Sequence, residues 1–183
     1  LIGVAGDTGS TESLIVSLIE LAAKHDHRLL LLGKRDLWPA LREAIPGIVC
    51  LPSEQLPMLN PLFPKLKNAS SWVWWGSGLG IPASVLQEAH RDGRVTTLQS
   101  LYQFALDTDG DPTAITVLRQ ACQTGLFGVA ESDPRTWFVE TPVIAVESLN
   151  AVLSRTLAMA ALESGTYLVV WHAPGFVPSD RVV

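Results

Sequence analysis

The chain has 183 residues, 48% hydrophobic and 17% charged, which is enough apolar material for a full core and rules out disorder. A formal charge of −5 and a pI near 5.3 exclude a broad nucleic-acid or anionic-membrane surface, since both need clustered Lys and Arg. Cys50 and Cys122 form no C-x-x-C, so a zinc ribbon, a redox dithiol and a disulfide framework are excluded as well.

Leu1 to Ala5 is a short continuous apolar run, the mark of a strand buried on both faces. Gly6 to Ser10 breaks it with turn residues. Leu14, Ile15, Leu18, Ile19 and Ala22 then recur with helical spacing. His27 to Leu32 reads as the second strand, which completes a βαβ unit with a right-handed crossover. Trp38 to Ala44 is a short helix stopped before Pro46, and Gly47 to Leu51 a third strand. Residues 52–64 hold Pro52, Pro57, Pro61 and Pro64 and read as loop. Ser71 to Trp75 is expected as a fourth strand, closed by Gly76-Ser77-Gly78, and Val95 to Leu98 as a fifth. Between them Pro82 to His90 reads as a helix. Leu106 to Pro112 is loop, Thr113 to Thr124 a helix, and Pro142 to Val146 an extended piece. Ser148 to Leu162 is an apolar helix, and Thr166 to Trp171 the last strand. The expected fold is α/β, a doubly wound parallel sheet of Rossmann-like type, forming one domain over 1–183. Because the chain begins inside an apolar run and stops at Val182-Val183, the domain is expected to be incomplete at both ends. No stretch approaches the ~20 apolar residues of a membrane span and no signal peptide is visible, so a cytoplasmic protein is expected.

The turn Gly6-Asp7-Thr8-Gly9-Ser10-Thr11-Glu12 follows a strand and opens a helix, the setting of a phosphate-binding turn. Small residues there let backbone N–H groups approach phosphate oxygens at the positive end of the helix. Two patterns compete. As G-x-x-G-x-x-G, the turn has its first two glycines and Glu12 in place of the third. As T-x-T-G-x-T, a flavin-mononucleotide loop, it has Gly6 for the first Thr, then Thr8, Gly9 and Thr11. An ordinary capped turn accounts for the residues about as well. Gly6, Thr8, Gly9, Ser10 and Thr11 are therefore cofactor-binding candidates. So are Lys34 and Arg35, which follow the second strand where an adenosine ribose lies, and Gly76. An acid at that strand end takes a 2′-hydroxyl and a basic residue a 2′-phosphate, so Lys34 and Arg35 imply NADP(H).

Later segments carry a resemblance. Val85 to Val95 looks like the helix and strand preceding the catalytic serine of extended and atypical short-chain dehydrogenases. Thr141 to Leu149 resembles their V-x-V-x-D-L segment, with Glu147 and Ser148 near the usual acid. Ala160 to Val170 is similar to their A-L-E…G-x-x-Y-x-V ending, and Gln123 to Phe127 fits the G-L-F region of 3β-hydroxysteroid-dehydrogenase-like members. The resemblance, which extends to the NAD-dependent epimerase/dehydratase group, implies hydride transfer with a nicotinamide cofactor and makes Ser100 the candidate catalytic serine. The family's Tyr-x-x-x-Lys pair is missing: Tyr102 is followed four places on by Leu106, and Tyr167 by Trp171. The expectation is an NADP(H)-binding protein of this kind, either a divergent reductase or epimerase or a nucleotide-sensing module. The alternative is a flavodoxin-like FMN carrier. A small-molecule nucleotide is the expected partner, with no nucleic acid and no membrane, and self-association is left open.

Asp107, Asp109 and Asp111 with Gly110 suggest a calcium loop, but Leu118 stands where the bidentate Glu belongs. His25 and His27 read as surface. Trp72, Trp74 and Trp75 read as core before flavin stackers. No G-x-S-x-G supports a serine hydrolase.

Overall fold

The computed structural model describes residues 2–4, 8–25, 27–64, 66–108, 110–127, 133–140, 145–147, 150–165 and 167–172. The chain is α/β and divides into two units, one of residues 1–55, 138–149 and 161–183, the other of residues 56–137 and 150–160.

The first unit is organised around strand β2 (Arg28–Gly33), whose Leu29 to Leu32 are all buried. An uninterrupted apolar run fits this position because a central parallel strand is covered on both faces. β2 lies in the middle of a five-stranded, all-parallel sheet of order β1-β5-β2-β4-β3, built with β1 (Ile2–Val4), β3 (Cys50–Leu51), β4 (Ala145–Glu147) and β5 (Tyr167–His172). Parallel strands need long crossovers. Helix α1 (Thr8–Lys24) supplies the first, and α2 (Trp38–Ala44) contributes to the second. Ile15, Ile19 and Ala22 of α1 pack with Leu37, with Leu41 of α2, and with Leu29, Leu31, Ala145 and Val170 of the sheet. The alternate strand residues, Leu30, Leu32, Val146 and Val169, are buried too. On their side Tyr167 meets Phe138 edge to face at 4.9 Å and donates its hydroxyl to the Phe138 carbonyl at 3.0 Å.

The second unit is helical: α3 (Ala69–Ser77) packs on α4 (Ala83–Arg91), and α5 (Leu98–Asp107) on α6 (Pro112–Gln123). Helices α7 (Pro134–Glu140) and α8 (Ala151–Ser164) each contribute residues to both units. Gly165, at φ +73°, takes the left-handed conformation that ends α8 before β5.

Two expected strands are corrected. Ser71 to Trp75 is helical, within α3, because Asn68 caps the first turn by accepting the Ser71 N–H at 2.9 Å. Trp72 and Trp75, three residues apart, then share the buried face of that helix. Val95 to Leu98 forms no strand either: Thr97 is the N-cap of α5.

Candidate functional site

The carboxyl ends of β2, β3 and β4 meet around one guanidinium. After Gly33 the backbone stays extended through Lys34 and then tightens into a 3-10 turn, Arg35–Leu37, which turns the exposed Arg35 side chain back over the strand ends. Glu54 arrives from a second 3-10 turn, Ser53–Gln55, just after β3. Glu147 ends β4, in register with Gly33.

Arg35 Nη2 makes all three contacts: 2.7 Å and 2.8 Å to the two oxygens of Glu54, and 2.7 Å to Glu147 Oε2. Glu54 is 60% exposed and Glu147 only 14%, so water screens the first pair more than the second. Glu147, and after it Glu54, push the Arg35 pKa above its already high ordinary value. The Glu54 carboxyl is held below the usual range, chiefly by its own backbone N–H and next by Arg35. The Arg35 guanidinium also lies 5.6 Å from the Trp38 ring centroid, with Arg42 5.7 Å from the same ring. Burial pushes the nearby Cys50 thiol up, away from nucleophilic reactivity.

Helix α1 begins at Thr8, so Thr8, Gly9, Ser10 and Thr11 form its first turn, where N–H groups lack partners within the helix. Gly6 lies outside the described residues. The end of β1 is separated from that of β2 by β5, a span of about 10 Å at the usual strand spacing.

Ser100 and Gly76 belong to the second unit. Ser100 is the third residue of α5, and its hydroxyl accepts the Thr96 and Thr97 N–H groups, each at 3.0 Å, and donates to the Thr97 carbonyl at 2.9 Å. Thr97 accepts the Ser100 N–H in return at 3.1 Å, which completes a reciprocal cap. Ser100 also lines an open groove of about 520 Å³ with Asp92, Arg94, Gln103 and Phe104. Gly76 is buried within α3, where a Cβ would stand 2.6 Å from both methyl carbons of Leu86 on α4, so it serves close helix packing. Trp74 carries the Arg155 guanidinium 4.4 Å from its ring centroid. Asp111 caps α6 and Asp107 accepts from Gln103, while Asp109 lies outside the described residues. No group of three metal-ligating side chains occurs among the described residues, and no described helix is long and apolar enough to cross a membrane.

Glu54 was not among the residues singled out from sequence. Its signal is its place three residues beyond a strand end, inside a proline-rich stretch read as loop. Both two-donor edges of a guanidinium share Nη2, which donates to Glu54, with Glu147 Oε2 beside it as an ion pair. Compared with known proteins, the chain matches no family model, no curated protein and no solved structure.

Proposed function

We propose that the first unit is a doubly wound, Rossmann-like nucleotide-binding domain, similar to the short-chain dehydrogenase/reductase group. One observation carries the reading. The steps β1 to β2 and β2 to β3 run one way along the sheet, and β3 to β4 and β4 to β5 run back. Right-handed crossovers that step in opposite directions along a sheet leave it on opposite faces. The connections leaving β2 and β4, which are neighbours, then diverge to opposite faces, and a crevice opens between their carboxyl ends. Ligands of open α/β sheets bind in such a crevice. Arg35 and Glu147 meet at that point.

In this reading the pyrophosphate of an adenine dinucleotide lies on the first turn of α1 and the adenosine ribose at the end of β2. Lys34 and Arg35 are the residues on which a preference for NADP(H) would rest, and a phosphate would have to take Arg35 from Glu54 and Glu147. A bound nicotinamide cofactor would supply hydride chemistry. The chain's own part is binding and orientation, because Tyr167 gives its hydroxyl proton to the Phe138 carbonyl and no lysine follows Tyr102 at the family's spacing. A nucleotide-sensing module therefore fits the residues better than an active reductase. Unpaired Cys50 and Cys122 suit a reducing cytoplasm.

The test is to denature the purified protein and identify any released nucleotide by mass, then titrate the emptied protein with NADH. Release of an adenine dinucleotide, or saturable NADH binding, is the expected result. Release of flavin mononucleotide, or no binding of any nucleotide, would overturn the reading.

A further inference from the structure

From the contacts of Arg35 we infer that Glu54 and Glu147 make the end of β2 select a ribose 2′-hydroxyl against a 2′-phosphate, the reverse of what Lys34 and Arg35 imply in the sequence. The inference rests on the reading that the adenosine ribose lies at this strand end.

The guanidinium is a planar fork of donors. It can grip a phosphate with two parallel N–H donors along its side edge, Nε with Nη2, or along its end, Nη1 with Nη2. Nη2 belongs to both edges and carries two hydrogens. Both oxygens of Glu54 accept from it at 2.7 and 2.8 Å, and Glu147 Oε2 stands 2.7 Å away from another strand as an ion pair outside hydrogen-bond geometry. Neither fork can form until the Glu54 carboxylate withdraws.

Charge acts in the same direction. Lys34, Arg35 and Arg42, which shares the Trp38 ring with Arg35, are offset by Glu54 and Glu147 and by Asp36 next in sequence, so the strand end is not cationic on balance. A 2′-phosphate brings nearly two further negative charges close to Glu147, which is 14% exposed and weakly screened. A ribose 2′-hydroxyl brings none. It can donate to a carboxylate that is already ionised and oriented, and a carboxylate has lone pairs to spare beyond those used on Arg35. The two acids differ in how readily they let go: Glu54 faces water and can swing aside, whereas Glu147 is fixed in the sheet. Glu54 is therefore the residue whose replacement should shift the choice.

The experiment titrates 5′-ADP and 2′,5′-ADP calorimetrically into the full chain and into Glu54→Gln and Arg35→Ala variants, each checked for an unchanged thermal midpoint. The unmodified chain should bind 5′-ADP at least tenfold more tightly. Glu54→Gln should tighten 2′,5′-ADP about tenfold and move 5′-ADP by less than threefold. Arg35→Ala should abolish that gain when combined with Glu54→Gln. Equal affinities in the unmodified chain, or a Glu54→Gln change of the same size for both ligands, would overturn the inference and leave the nucleotide reading intact. No binding of either ligand by any variant would overturn both.

Discussion

Trp75 donates its indole N–H to the Thr156 hydroxyl across 3.1 Å, with both residues fully buried in the second unit. Thr156 passes its own proton to the Val152 carbonyl at 2.7 Å, so the hydroxyl serves as acceptor and donor at once. Thr156→Val keeps the shape and leaves the buried indole N–H without its acceptor. A loss of roughly 1–3 kcal/mol is expected, read from urea denaturation, because an unpaired buried donor costs its full desolvation penalty. A loss below a few tenths would show that the contact is incidental.

Gly76→Ala sets two effects against each other. Alanine in a helix interior gains about 1 kcal/mol over glycine, and overpacking a full core costs typically ~1–3 kcal/mol. The new methyl would meet both Leu86 methyl carbons at 2.6 Å, and Leu86 is wholly buried, so overpacking should prevail. The thermal midpoint should fall while nucleotide affinity stays unchanged. Unchanged stability with weakened binding would return Gly76 to the cofactor site.

Ser100→Ala removes one half of the reciprocal cap with Thr97 and frees the Thr96 and Thr97 N–H groups. A destabilisation of about 1 kcal/mol is expected. Ser100→Asp, which can accept the same N–H groups, should restore much of it. A variant of full stability would remove the structural role and reopen a role for Ser100 in binding.

Much of this fold is legible in the sequence, and the illegible parts share a cause. The spacing of Ile15, Ile19 and Ala22 shows the buried face of α1, and Trp38 to Ala44 is recovered as α2 with the same bounds. Trp72-Val73-Trp74-Trp75 reads as strand because aromatic and β-branched residues favour pleated surfaces. The cap at Asn68 decides otherwise, since one satisfied N-terminal turn and a buried three-residue spacing outweigh a weak local preference. Strand order leaves no local trace. The sequence therefore cannot show that β5 separates β1 from β2, or that Glu54 and Glu147 converge on Arg35.

Acid should loosen the second unit in a defined direction. Arg94 holds the Asp92 carboxyl at about 2, and the Thr113 and Ala114 N–H groups hold Asp111 below the ordinary carboxylate range. In each case the folded value lies beneath the unfolded one, so the stability these groups contribute is present above about pH 4. It is lost as pH falls through the folded values. The thermal midpoint should drop between about pH 4 and 2, and Asp111→Asn and Asp92→Asn should flatten the drop. Asparagine keeps an acceptor for the α6 cap and removes the titration. A steeper drop in either variant would contradict the assignment.

No ketone or sugar-nucleotide reduction should exceed a cofactor-only blank, because no Tyr-x-x-x-Lys pair exists to move the proton. A panel of carbonyl substrates with NADH and NADPH checks this. Turnover that disappears in Tyr102→Phe would identify a proton donor outside the family's pattern.

In the proposed reading an adenine dinucleotide spans the carboxyl edge of the sheet from the start of α1 to the ends of β2 and β4. Backbone hydrogen–deuterium exchange with and without saturating NADH tests it most directly. Slowed exchange is expected in peptides covering residues 2–12, 33–37 and 145–147, with the groove around Asp92 to Asp107 unchanged. Slowing confined to residues 92–107, or none anywhere in the chain, would contradict it.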